Sequence, residues 1–378
     1  MFETATNYSA NRPSKMIKQR KQKGSERRDT QTTKTSADAG IRKWLFRLNL
    51  LFGVVIVLFV AALVTRSFNR SSSNASGVPV ESPTVGPIPS RYDADRAFGY
   101  LEQLCAIGRR PSGSEGMQEQ QTLLTKFFEE RDAVVSMQTF QIRHPEDGSN
   151  VEMANLIARW NPESEKRFLF CAHYDTLPFP EQDPVNPRGY FVGANDGASG
   201  TAALMELANQ FKDLPANIGV DIVLFDGEEF VFDSSRDDFF LGSTFFAKKY
   251  AATEDVVPYR AGILLDMVGD KELKLYYEKN SLRYAREVAR GVWSVAARLG
   301  VTAFTPRSRH EILDDHLPLN QIAKIPTIDI IDFDYPRPGF GAPRYWHTEQ
   351  DVPANCSGKS MTAVVWVVHQ WLLQEGAQ

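Results

Sequence analysis

Cysteine is scarce in this chain. Three occur in 378 residues, at positions 105, 171 and 356. At most one disulfide can form within the chain, so the fold must rest on a core rather than on cross-links. No CxxC pair is present, which argues against a thiolate zinc site. Cys171, inside the run RFLFCAHYD, reads as a small buried hydrophobe. An excess of one charge is missing too. Lys and Arg number 43 against 47 Asp and Glu, a net charge of -4, which gives no general reason to bind nucleic acid. The basic cluster from Lys15 to Arg28 is confined to the N-terminal region and has another explanation. Internal repeats are absent, and the glycines around residues 193–200 do not follow the GxGxxG spacing of a dinucleotide-binding turn.

One long apolar run stands out, from Trp44 to Val64, uninterrupted from Leu50 onward. With its flanks it is about one bilayer-spanning length. Arg42, Lys43 and Arg47 lie at its N-terminal side, so the positive-inside rule puts the N-terminus in the cytoplasm and the rest of the chain outside. A cleaved signal peptide is the rival reading. The preceding basic region is too long for one, and no small-x-small cleavage site follows. The expected organisation is a basic, disordered cytoplasmic tail over 1–43, a transmembrane signal anchor over 44–65, a Ser/Pro/Gly linker over 66–92 and a folded domain over 93–378. The lipid bilayer is thus an expected partner.

Within the folded domain, Phe98, Leu101 and Leu104 have helical spacing behind a cap at Asp93 or Asp95, and Met117 to Glu130 reads as a second helix. Strands are expected at 134–142 and 151–160, joined by a turn, and at 167–172, 219–225, 262–267, 273–277 and 327–331. Helices are expected at 200–211, 242–250, 281–299 and 359–373. This alternation predicts a three-layer α/β/α fold, with a mostly parallel mixed sheet and an antiparallel hairpin near its start.

Five motifs carry the chemistry: His173-Tyr174-Asp175, Asn195-Asp196-Gly197, Asp226-Gly227-Glu228-Glu229, Leu265-Asp266-Met267 and Trp346-His347-Thr348. Each puts an ionisable residue at a strand end or in the loop after it, where an open α/β sheet collects its site. Singly, each has an ordinary reading: a strand-end His bonded to Asp, a helix cap, a solvated acidic turn, a packed His. Jointly, a set of imidazole and carboxylate without thiolate suits a catalytic zinc. Asp175 could hold the His173 ring, and Glu228, beside a ligand Glu229, could move protons. Asp314-Asp315-His316, before a short helix at 317–323, could be a cap with surface charge.

Together these motifs resemble the zinc aminopeptidase superfamily that uses co-catalytic zincs, including its glutaminyl cyclase branch. The resemblance spans roughly 94–373 and includes the segment Gly108 to Gly116. It implies Asp196, Glu229 and His347 as ligands of one zinc, Glu228 as general acid and base, and His173 and Asp266 as ligands of a second zinc in the aminopeptidases. In the cyclases one zinc is kept, and Asp266 and Asp314 join a hydrogen-bond network with the catalytic Glu. Asp314-Asp315-His316-Leu317-Pro318, Trp346 before His347, and the strand Leu265 to Asp270 are cyclase-like. The animal cyclases carry a Trp just past the acidic pair, whereas this chain has Phe230 to Ser235 without one, so Trp346 and Phe232 are the expected substrate-binding aromatics. The stretch 332–344, rich in Pro and Gly, is expected to form a loop over the site. The implied activity is cyclisation of N-terminal Gln on peptides or proteins. The alternative is a membrane-anchored zinc aminopeptidase. A binding protein without catalysis would require a lost ligand or base, and none is lost.

Overall fold

The computed structural model describes residues 87–334 and 345–378. The expected cytoplasmic tail, the membrane anchor, most of the linker and most of the expected loop at 332–344 lie outside the described residues. Among the described residues no helix is long and apolar enough to cross a membrane.

The first two helices begin on side-chain caps. The Asp93 carboxylate accepts from the N–H of Asp95 and Arg96 to start α1 (Ala94–Ile107), and the Ser114 hydroxyl accepts from Met117 N–H to start α2 (Glu115–Glu129). An antiparallel hairpin follows, β1 (Val134–Arg143) with β2 (Asn150–Trp160). After β3 (Arg167–His173) the chain crosses through α3 (Gly200–Ala208) to β4 (Gly219–Phe225), and then through α4 (Leu241–Ala252) to β5 (Tyr259–Asp266). A short strand β6 (Leu275–Tyr277), helices α5 (Lys279–Tyr284) and α6 (Arg286–Leu299), and β7 (Phe304–Ser308) come next. Helix α7 (His316–Gln321), strand β8 (Thr327–Ile331) and helix α8 (Gly358–Ala377) complete the chain.

The main sheet has the order β1-β2-β4-β3-β5-β8. β4, β3, β5 and β8 run parallel, and β2 is antiparallel to β4, which joins the hairpin to the parallel part. β3 shows why the sheet is central. Phe168, Phe170 and Ala172 face the core under α1, α3 and α8, while Leu169 and Cys171 face a second cluster with Phe246 of α4 and Leu319 of α7. A strand apolar on both faces needs helices on both sides. Cys171 is buried there, and all three cysteines are free thiols.

Three expectations need correcting. The helix expected over 281–299 breaks at Ala285 (φ -136°, ψ 42°), so that α5 packs on β8 while α6 packs on α8. The helix expected to reach residue 211 stops at Ala208. β7 was not foreseen: its residues are largely exposed and give no two-residue period, and it pairs only with β6 in a separate small sheet.

Candidate active site

His173 and Asp266 are the last residues of the adjacent parallel strands β3 and β5, and Glu228 and Glu229 follow β4. Asp196 reaches the same end from the turn before α3. That turn is extended at Asp196 (φ -91°, ψ 101°) and left-handed at Gly197 (φ 96°). A Cβ on Gly197 would stand 2.6 Å from the Asp175 carbonyl oxygen and 3.4 Å from the His173 ring, so only glycine fits. Asp351, four residues after His347, pins the turn: its carboxylate accepts from the N–H groups of Asn195 and Asp196 at 2.8 and 3.0 Å. On the far side, Asn195 Oδ1 accepts from Gly269 N–H at 2.7 Å, tying the turn to the end of β5.

Asp175 has a different task from the one expected. Its carboxylate lies 3.8 Å from His173 Nδ1, too long for a hydrogen bond. It accepts instead from the N–H groups of Glu228 and Glu229 at 3.1 and 3.0 Å, and so fixes the acidic pair. Asp226 accepts from the Ser112 hydroxyl at 2.6 Å and Ala154 N–H at 2.9 Å, locking the start of that loop.

The side chains converge on Asp196. One of its carboxylate oxygens is 3.2 Å from His173 Nε2, which is also 3.3 Å from Asp266. The other is 3.4 Å from His347 Nε2, which is 3.0 Å from Glu229. Asp196 thus stands between two pairs of candidate ligands, Glu229 with His347 and His173 with Asp266. Glu228 Oε2 is 4.0 Å from His173 Nδ1. His347 itself has a left-handed backbone (φ 57°), a strained position of the kind that clusters at functional sites. Its Nδ1 faces Glu181 Oε1 at 3.3 Å, which orients the ring.

Burial drives the proton affinities of this cluster. Desolvation pushes Glu228 well above the ordinary range, helped by Glu229, Asp314 and Asp315. Desolvation, with Asp196 nearby, carries Glu229 up to about 8. Asp266 and Asp314 are raised mainly for the same reason. Asp196 goes the other way: burial would raise it, but the His173 and His347 imidazoles beside it prevail and hold it low. Carboxylates this crowded and dry call for a compensating cation. Asp196 Oδ2 and His173 Nδ1 are buried without a hydrogen-bond partner, and the donors are all oxygen and imidazole nitrogen. Ligand atoms of His173, Asp196 and Glu229 lie within 4.8 Å of one another. The residues fit a zinc site.

Beside this cluster is a cavity of about 300 Å³ whose polar end holds Glu228, Asp266 and Asp314 and whose walls include Leu177, Phe239 and Trp346. Trp346 lies against the His347 ring with centroids 3.9 Å apart. Phe232, expected in this pocket, is not among its lining. The N–H groups of Phe232 and Asp233 both donate to the Asp237 carboxylate, which folds the loop back. Phe232 then packs with Phe230 and His144 in a separate cavity of about 470 Å³. Phe239 and Phe240 occupy the place expected of it. Glu181 and Asp351 were missed by sequence reasoning. Neither lies in a motif, and each acts on a residue whose proximity only the fold creates.

Residues 155–372 match the model of the family described as Peptidase family M28. Among solved structures, the chain is similar to the glutaminyl cyclase of Fimbriiglobus ruber: 40% identity, TM-score 0.70, covering 74% of this chain and 95% of that one. It is also similar to a Zn-dependent exopeptidase from Parabacteroides distasonis: 33% identity, TM-score 0.69, covering 75% and 99%. A glutaminyl-peptide cyclotransferase from Gloydius blomhoffii is 25% identical over 58% of this chain. The match spans 65% of that relative's length. These likenesses support a zinc cofactor and an enzyme of the glutaminyl cyclase or zinc exopeptidase type.

Proposed function

The chain belongs to peptidase family M28, and on that premise we propose that it is a zinc-dependent glutaminyl-peptide cyclotransferase, which turns the N-terminal Gln of a peptide or protein into pyroglutamate and releases ammonia. The observation that carries this reading is the acidic end of the pocket, where Asp314 joins Glu228 and Asp266. A peptidase needs one carboxylate to move a proton. Two further acids of raised proton affinity suit a reaction in which one proton is taken, kept and handed on.

Asp196, Glu229 and His347 would hold zinc, with His173 and Asp266 available to a second ion. Zinc, when bound, supplies a Lewis acid for the side-chain amide carbonyl of the substrate. The Glu228 carboxylate takes a proton from the α-amine as that nitrogen bonds to the amide carbon. It then gives the proton to the amide nitrogen, which leaves as ammonia. Asp266 and Asp314 hold Glu228 and its proton in place. Trp346 and Phe239 wall the pocket and exclude water, so that the internal amine attacks instead. Because nucleophile and carbonyl belong to one residue, holding them in a reactive pose does much of the work.

An aminopeptidase is the second reading. It is favoured by the intact second ligand set around Asp196 and by the absence of Trp from Phe230 to Ser235. Its substrate would be the first peptide bond, with Glu228 deprotonating water. For either reaction we propose peptide or protein N-termini as partners, met on the outer side of a membrane by a chain anchored through 44–65. The test is ammonia release from a Gln-initiated peptide by the zinc-loaded protein, before and after chelation. Release that stops with chelation and returns with zinc supports the cyclase. A free N-terminal amino acid without ammonia overturns it.

A further inference from the structure

A second cavity, of about 470 Å³, lies against the reaction pocket and takes no part in the reaction above. The same two segments wall both. Leu177 lines the reaction pocket, and its successors Pro178 and Phe179 line the second cavity. Likewise Glu228 and Glu229 line the first, and Phe230 and Phe232 the second. These segments are tied to the site: Leu177 N–H donates to Glu229 Oε2 at 3.1 Å, and Val231 N–H donates to the Glu229 carbonyl at 2.7 Å. The reaction pocket, at about 300 Å³, is at the small end of ligand sites and suits the terminal residue of a chain. The residues that follow must pass over its rim, and the second cavity is next to it.

Aromatic rings line this cavity. Phe230, which is buried, meets Phe232 edge-on with centroids 5.2 Å apart, and Phe232 lies 6.4 Å from Phe179. His144 rests against Phe230 and Phe232, at 5.3 and 4.6 Å. One cation joins the rings. Arg109 lines the cavity with its guanidinium 5.3 Å from the centre of the Phe179 ring. Its Nη2 donates to the Pro178 carbonyl, and its Nε is buried without a hydrogen-bond partner. Among the described residues Arg109 is in no ion pair. Glu152, the one carboxylate in the lining, is exposed and accepts from Gln141 Nε2 at 3.0 Å. An unpaired guanidinium beside aromatic rings suits a carboxylate on a short apolar stem. The stem packs on the rings, and the carboxylate oxygens pair with the guanidinium.

We propose that the second cavity is a substrate subsite, which takes an acidic side chain a few residues after the N-terminal one, and that Arg109 selects for it. This rests on the reading that the reaction pocket acts on peptide N-termini. The favoured substrates are then peptides or proteins with a Glu or Asp close to their N-terminus. The contact acts on the chain and not on the reacting bond. It therefore belongs in KM and not in kcat.

The test is a scan of peptides that begin with Gln and continue in Gly, each with a single Glu at one of positions 2 to 6. It is run on the zinc-loaded full chain, beside the same peptides with Gln in place of that Glu. Ammonia and free amino acid are both followed, so the scan reads whichever product forms. At one position Glu should lower KM about three- to tenfold against its amide, with kcat within about twofold. Arg109→Gln should erase that preference, and Arg109→Glu should turn it toward Lys at the same position, whatever either does to overall turnover. Phe232→Ala should weaken the preference, and it carries the test if the Arg109 variants fail to fold. Failure of the functional reading shows separately, as a wild type that turns over none of the peptides. The cavity is then read from the ring resonances of His144, which should move on adding the N-acetylated Glu peptides and not their amide forms. A flat scan in an active wild type, a Glu preference that survives Arg109→Gln, or His144 resonances that stay in place would each overturn the proposal.

Discussion

In the proposed reaction Glu228 is the residue on which the chemistry turns. It stands partly exposed at the pocket, with its proton affinity raised by burial and by three neighbouring acids. Replacing it by Gln keeps the shape and removes the base. The expected result is a kcat lower by about 10²- to 10⁴-fold with zinc content unchanged, read by turnover assay and metal analysis. Glu181 gives a contrasting prediction. Its carboxylate faces His347 Nδ1, so Glu181→Gln should weaken zinc about 10- to 100-fold, measured by competition with a chelator, and leave activity at saturating zinc near wild type. Residue by residue, the site was legible where type and position agreed: His173, Asp196, Glu228, Glu229, Asp266, Asp314 and His347 are all brought together. It was illegible where the task depends on distance in space. Asp175 sits next to His173 in a motif yet fastens the backbone of Glu228 and Glu229, and Phe232 follows the acidic pair yet turns away from the pocket.

At the scale of elements, the turn before α3 and the helix α8 carry the consequences. The turn holds Asp196 because Gly197 is left-handed and crowded by the Asp175 carbonyl. Gly197→Ala should therefore lower both thermal stability and zinc affinity, which a melting curve with and without zinc would detect. Helix α8 docks on the start of the domain through His369, whose Nδ1 lies 2.8 Å from the Tyr92 hydroxyl. Burial, aided by Arg91, depresses His369 to about 4. Because the folded value lies below the unfolded one, the folded protein binds fewer protons between them. The stability from neutral His369 is present above about pH 6.5 and is lost as the pH falls toward 4, about 3 kcal/mol in all. The difference in urea midpoint between wild type and His369→Gln should shrink over that range. Parallel curves would contradict it. The apolar elements were readable because strands such as β3 and β4 carry their signal in every residue. β7 and the break at Ala285 were not, since an exposed strand has no alternation and the break reflects two different docking partners.

At the scale of the whole molecule, alternating strands and helices made the layered fold and its mixed sheet visible in advance. The strand order was not, because it depends on which crossovers pass the hairpin. That order brings β3, β4 and β5 side by side, so that one end of the sheet gathers two imidazoles and the acids around Asp196. Under the proposed function such a site would act on a peptide N-terminus in one of two ways, and the added acids are the reason for proposing cyclisation. The deciding measurement is the mass of the product formed from a Gln-initiated peptide by the zinc-loaded protein. The account predicts a full-length peptide lighter by one ammonia and blocked at its N-terminus, with no product from the same peptide starting with Leu. A peptide shortened by its first residue, from either substrate, would contradict it.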